Sequence, residues 1–157
     1  MAFRLSDALR NKLMKSGGDD FKATMDGGFI FVYSGQQPAD ANLAAPGTLL
    51  ATIAVDDGAT GLTFDDGANV GELVKAAAEA WQGAGVAAGI AGWFRFHALD
   101  VDKATTTASA AAASTTKARF DGAIAASGAE LNASNTNIAV GAIQTVNQFT
   151  ITMPASA

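Results

Sequence analysis

Alternation of side-chain character along Gly89 to Asp100, Gly-Ile-Ala-Gly-Trp-Phe-Arg-Phe-His-Ala-Leu-Asp, predicts a central β-strand. Successive side chains of a strand point to opposite faces, so Trp93, Arg95 and His97 share one face and Phe94, Phe96 and Ala98 the other. Gly89 and Gly92 mark a bend or a close approach of another backbone where the strand begins. Phe29 to Ser34 is apolar on both faces and stops at Gly35, the pattern of a buried strand. Thr48 to Val55 is a second strong strand, released by Gly47 after a Pro-, Asn- and Asp-rich loop from Gln36 to Pro46. Further strands are expected over Lys117 to Ala126, Ile138 to Val140 and Ala142 to Met153. In the last of these Phe149, Ile151 and Met153 alternate with polar residues. Glu72 to Gln82 has the composition of a helix but the alternation of a strand, and the alternation favours strand.

Helical spacing stands out at one place. Leu5, Leu9 and Leu13 recur every four residues, so Ser6 to Ser16 reads as an amphipathic helix with Ser6 as N-cap and Gly17-Gly18 as stop. So short a helix is marginal alone in water and must bury its leucine stripe, against its own domain or against a neighbouring subunit. Asp19 to Gly28 is a polar bridge with a short strand around Phe21 to Met25. Asp56-Asp57-Gly58 and Asp65-Asp66-Gly67 read as turns rather than a calcium site, because the twelve-residue loop of an EF-hand is absent. The Ala/Thr/Ser tract at about 102–117 has no large hydrophobe and reads as a long loop without a core face. The expected fold is all-β: one antiparallel β-sandwich, jelly-roll-like, over residues 1–157, with helix confined to about 5–16.

Composition narrows the function classes. Nine phenylalanines, two tryptophans and one tyrosine carry most of a core whose apolar fraction is otherwise largely alanine. A net charge of −5 and a pI near 4.6 disfavour nucleic acid, whose phosphates demand clustered Lys and Arg. Arg4, Arg10, Lys12, Lys15 and Lys22 read as a solvated helix surface. No membrane span or signal peptide is expected, and the absence of cysteine removes disulfide and thiolate chemistry. His97, the only histidine, reads as a sheet residue and not a catalytic base; Arg95 and Asp121 read as a cross-strand ion pair. No enzyme, cofactor or metal is expected.

Four segments resemble, in order, a family of small structural proteins of tailed bacteriophages and prophages: Arg4-Leu5-Ser6-Asp7-Ala8-Leu9, Phe31-Val32-Tyr33-Ser34-Gly35-Gln36-Gln37-Pro38, Gly92-Trp93-Phe94-Arg95-Phe96 and Arg119-Phe120-Asp121-Gly122. The likeness runs over roughly residues 3 to 153. It implies a virion protein, of which capsid cement or decoration proteins are the nearest functional class, made in a bacterial cytoplasm and placed on the outer capsid surface. The major capsid protein and copies of the chain itself, as a dimer or trimer, are the implied partners. The contact elements expected are Leu5, Leu9 and Leu13 of the helix and Thr105, Thr106, Thr107, Ser114 and Thr115 of the long loop. The alternatives are a tail, neck or baseplate component, or a carbohydrate-binding attachment module, which would need Trp81, Trp93 and Tyr33 exposed as stacking platforms.

Overall fold

The structure, a computed structural model, describes residues 3–14, 20–99 and 107–153. The readings that fall on 15–19 and 100–106, including Gly17-Gly18, Thr105 and Thr106, lie outside the described residues. The elements in chain order are β1 (Arg4–Leu5), α1 (Asp7–Met14), α2 (Phe21–Met25), β2 (Phe29–Ser34), β3 (Leu49–Val55), β4 (Phe64–Asp66), β5 (Glu72–Lys75), β6 (Trp81–Ala84), β7 (Gly89–His97), α3 (Thr107–Ala111), β8 (Arg119–Ala125), β9 (Leu131–Ala133), β10 (Asn137–Ile138) and β11 (Ile143–Thr152). Among the described residues no helix is long and apolar enough to cross a membrane.

The fold is all-β, but it is a closed barrel and not a sandwich or jelly roll. Seven strands follow each other round the wall in the order β8-β7-β2-β3-β6-β11-β9, and β9 then returns to β8. Every neighbouring pair in the barrel is antiparallel except β8 and β9, which run parallel through Ile124↔Leu131 and Ala125↔Asn132. β1 extends the sheet beyond β8, β5 and β4 extend it beyond β11, and β10 pairs with the start of β7. The seam is narrow, and Glu130 reinforces it from both sides. Its carboxylate accepts from the Ala123 amide of β8 at 3.0 Å, and its carbonyl accepts from the Thr150 amide of β11 at 3.1 Å.

Side-chain alternation decides what fills the barrel. Phe94 and Phe96 of β7 point inward, where they meet Phe120 of β8, Phe149 of β11, Phe64 of β4 and Trp81 of β6, all essentially inaccessible to solvent. Phe96 stacks on Phe120 at 5.1 Å between ring centroids, and Phe94 meets Phe149 edge-on at 5.5 Å. A small barrel has an interior just wide enough for side chains to fill, and large aromatic rings close that space with few residues. Gly122 makes room for the lattice, since a Cβ there would come within 2.7 Å of the Phe94 ring.

Three further expectations are corrected locally. Phe21 to Met25 is a helix, because Asp20 caps it by accepting from the Ala23 amide at 2.6 Å while Phe21 and Met25, one turn apart, enter the core. Glu72 to Gln82 is not one strand; β5 and β6 are separated by a turn at 76–80. Helix is not confined to the N-terminus, since α3 lies in the expected loop and buries Ala110. Of the two Asp-Asp-Gly repeats, Asp56 and Asp57 take left-handed φ values of 53° and 55° in a turn, whereas Asp65 and Asp66 belong to β4. Phe94→Ala or Phe96→Ala is expected to lower the unfolding free energy by about 3–5 kcal/mol in chemical denaturation, with the larger loss where the ring lattice collapses least.

Candidate functional site

Among the described residues, buried charge is concentrated on the outer wall of the barrel. Register places Arg4, Asp121, Arg95, Phe31 and Thr52 side by side across β1, β8, β7, β2 and β3. Arg95 and Asp121 are therefore directly opposed, as the alternation pattern indicated. Arg95 Nε donates to Asp121 Oδ1 at 2.7 Å and Nη2 to Oδ2 at 2.8 Å, a bidentate pair that is fully buried. Arg119, two residues along β8 and also fully buried, is the cross-strand neighbour of His97.

One carboxylate thus stands among two buried guanidinium groups, and backbone carbonyls take up the remaining donors. Arg95 Nη1 donates to Ala110 O at 3.0 Å and Leu43 O at 3.1 Å. Arg119 donates from Nε to Ala41 O at 2.6 Å, from Nη1 to Ala112 O at 2.7 Å, and from Nη2 to Asn42 O at 2.9 Å and Ser114 O at 3.3 Å. Arg4 adds a bond from Nη1 to Pro38 O at 2.8 Å. The acceptors lie in two loops, 36–46 and the segment from α3 to Lys117, which also bond each other through Ala45 N to Ala111 O and Ser114 N to Asn42 O, both at 2.8 Å. The three arginines therefore staple both loops to the barrel wall. Ser6 completes the framework: buried, it caps α1 through the Leu9 amide at 3.3 Å, accepts from the Arg119 amide at 3.1 Å and donates to Lys117 O at 2.9 Å.

Burial sets the electrostatics of this cluster. It pushes the Asp121 carboxyl above the ordinary aspartate range, against the hydrogen bonds from Arg95 and the charges of Arg95, Arg119 and Arg4. It pulls Arg119 down to about 10, with the Arg95 charge acting in the same direction and Asp121 opposing. These are the marks of charge held inside a structure, with its donors already spent on internal acceptors.

Two apolar surfaces lie elsewhere. A depression of about 730 Å³ on the outer wall is lined by Phe29, Phe31, Ala54, Ala84, Val86 and Leu99, with Asp57 at its edge accepting from the Ala84 amide at 2.9 Å. At one end of the barrel Val86, Ile90, Val140 and Ile143 are 58, 71, 68 and 49% exposed. Gly85 ties their segments together, donating to Ala142 O and accepting from the Gly141 amide.

The residues singled out in the sequence fall differently. Leu9 is completely buried in this chain's own core, and Leu5 and Leu13 pack partly against it. Thr107 opens α3; Ser114 is half-buried in the stapled loop, and Thr115 beside it is exposed. Trp81, Trp93 and Tyr33 are all buried, so the stacking platform of an attachment module is not on the surface. Arg4 is a staple rather than solvated charge, whereas Arg10 pairs with Asp7 at the surface at 3.3 Å. Sequence reasoning missed Arg119, whose partners are carbonyls and leave no side-chain pattern. It also missed the exposed barrel end, whose signal was a set of β-branched residues beside Gly85, Gly89 and Gly141. Among the described residues no three His, Cys, Asp or Glu side chains are grouped as metal ligands.

No protein-family model, curated protein or solved structure matches the chain. Within the chain itself, the cluster is built from Arg4, Phe31 with Tyr33, Trp93 with Arg95, and Arg119 with Asp121.

Asp121→Ala leaves two buried guanidinium groups without an anion and is expected to cost about 3–5 kcal/mol of stability by urea denaturation. A carboxyl whose pKa rises on folding contributes stability that is full below its unfolded value and is lost as pH rises through the folded value. The stability difference between wild type and Asp121→Asn is therefore expected to be most favourable to wild type in acid. It should fall as pH rises above the ordinary aspartate value, as read from urea midpoints over a pH series.

Proposed function

We propose that this chain is a structural protein of a tailed-bacteriophage particle, acting as a capsid cement or decoration protein that grips the major capsid protein. The observation that carries the reading is the exposed apolar barrel end, Val86, Ile90, Val140 and Ile143, set on a rigid closed wall. Exposed apolar side chains gathered on neighbouring, hydrogen-bonded segments are a candidate interaction surface. The framework role of the motif residues also supports it, since Arg4, Arg95, Arg119 and Asp121 spend their hydrogen bonds holding loops in place. A net charge of −5 suits the outside of a capsid better than its DNA-filled interior. Contact with copies of the chain as a dimer or trimer, through the half-buried Leu5 and Leu13 and the exposed Thr115, belongs to the same proposal.

Counting copies in purified particles tests the reading. On the order of hundreds per particle support the capsid role, roughly six or twelve shift it to a neck, tail or baseplate part, and absence from particles overturns it. The joint change Val140→Asp and Ile143→Asp is expected to reduce particle association about tenfold or more. Because both side chains are exposed, it should leave stability within about 0.5 kcal/mol of wild type.

A further inference from the structure

The loops stapled by Arg95 and Arg119 cover a second apolar cluster, outside the barrel and separate from its interior: Phe31, Tyr33, Trp93 and Ala110. Tyr33 stacks on Trp93 at 4.8 Å and 15°, and the Arg95 guanidinium lies 5.4 Å from the Trp93 ring centroid. The aromatic side chains all come from β2 and β7 of the wall. What the loops add to the cluster is small, namely Ala45 and Ala110. The cover is therefore held chiefly by hydrogen bonds from arginines to backbone carbonyls, and water offers those carbonyls and guanidinium groups an alternative partner.

Two further observations bear on what this cover does. The Tyr33 hydroxyl and the Trp93 indole nitrogen are buried beneath it without a hydrogen-bond partner among the described residues. Such atoms disfavour the covered state, because opening would hydrate both. Phe31 also belongs to two surfaces at once, the covered cluster and the floor of the open depression formed with Phe29, Ala54, Ala84, Val86 and Leu99. Uncovering Tyr33 and Trp93 would thus lengthen an existing apolar groove along β2 and β7.

We propose that loop 36–46 and the segment 107–114 form a strap that lifts off an intact barrel and uncovers a Phe31, Tyr33 and Trp93 platform continuous with the groove. The barrel does not need the strap. β2, β7 and β8 are paired along their lengths, and their inward faces carry the aromatic lattice. The Arg95 to Asp121 pair joins two strands of the wall, so it stays formed when the strap leaves. The bonds from Arg95, Arg119 and Arg4 to loop carbonyls exchange for water, as does the bond from the Asp7 amide to Asn42 Oδ1 at 3.0 Å.

The two indole protons test this directly by nuclear magnetic resonance hydrogen exchange on the full chain. Trp81 lies in the barrel interior with Nε1 donating to Glu79 Oε2 at 2.7 Å, and it serves as the internal reference for opening of the barrel. Strap opening exposes little surface, so the Trp93 indole proton is expected to exchange about tenfold or more faster than that of Trp81, with a much weaker dependence on urea. Arg119→Lys keeps the charge but loses the planar fork that reaches Ala41, Asn42 and Ala112. It is expected to accelerate Trp93 exchange by a further factor of about ten while Trp81 and the β11 amides stay at their wild-type rates. If both indole protons exchange at one rate with one urea slope, the strap opens only when the barrel unfolds and the proposal is overturned. Should Arg119→Lys not fold, the two urea slopes of the wild-type protein decide the matter alone.

Discussion

The bidentate pair between Arg95 and Asp121 is the interaction on which the outer wall depends. Two charges removed from water are tolerated when geometry is good and the remaining donors are satisfied, and here backbone carbonyls do the satisfying. That requirement reaches outward from the pair. Arg95 and Arg119 together have more donors than Asp121 can accept, so Ala41, Asn42, Ala110 and Ala112 must bring their carbonyls to fixed positions. Loops of small residues, which could not hold themselves by hydrophobic burial, are thereby given a definite path over the sheet.

The inside of the barrel follows a different rule. There Phe64, Trp81, Phe94, Phe96, Phe120 and Phe149 fill the lumen chiefly by shape. The same strands serve both regimes, because alternation sends Phe94 and Phe96 inward and Trp93 and Arg95 outward. Closure removes the open sheet edges that a thin sandwich would leave exposed. It rests on three residues of β9 and on Glu130 bridging its neighbours.

Much of this was legible in the residues. β2, β3, β7, β8 and β11 carry strong period-two or fully apolar patterns, which mark them as strands, while their pairing order comes from the structure. The opposition of Arg95 and Asp121 was readable as a cross-strand ion pair because both sit in strands that could pair, and register sets them directly opposite each other. Barrel closure was not readable, since a three-residue strand has too few positions to show a period. The five-residue α2 was missed for a related reason, although Asp20 before it and Phe21 and Met25 one turn apart were a usable cap and stripe. The tract 107–117 looked incapable of packing because side-chain hydrophobicity was the measure, while its backbone carbonyls are what the fold uses. The leucine stripe of α1 left open which surface it meets; Leu9 goes inward on its own domain.

The bonds of Ser6 to Arg119 and Lys117 join points 113 and 111 residues apart in the chain. Contacts of such separation form slowly, because the loop between them must be ordered first. During synthesis β1 and α1 emerge well before their partner strand β8, which is made only after most of the barrel wall. Leu5, Leu9 and Leu13 therefore wait for β8 before they are fully covered, a window in which a chaperone or a neighbouring nascent chain can reach a hydrophobic stripe that the finished protein largely conceals.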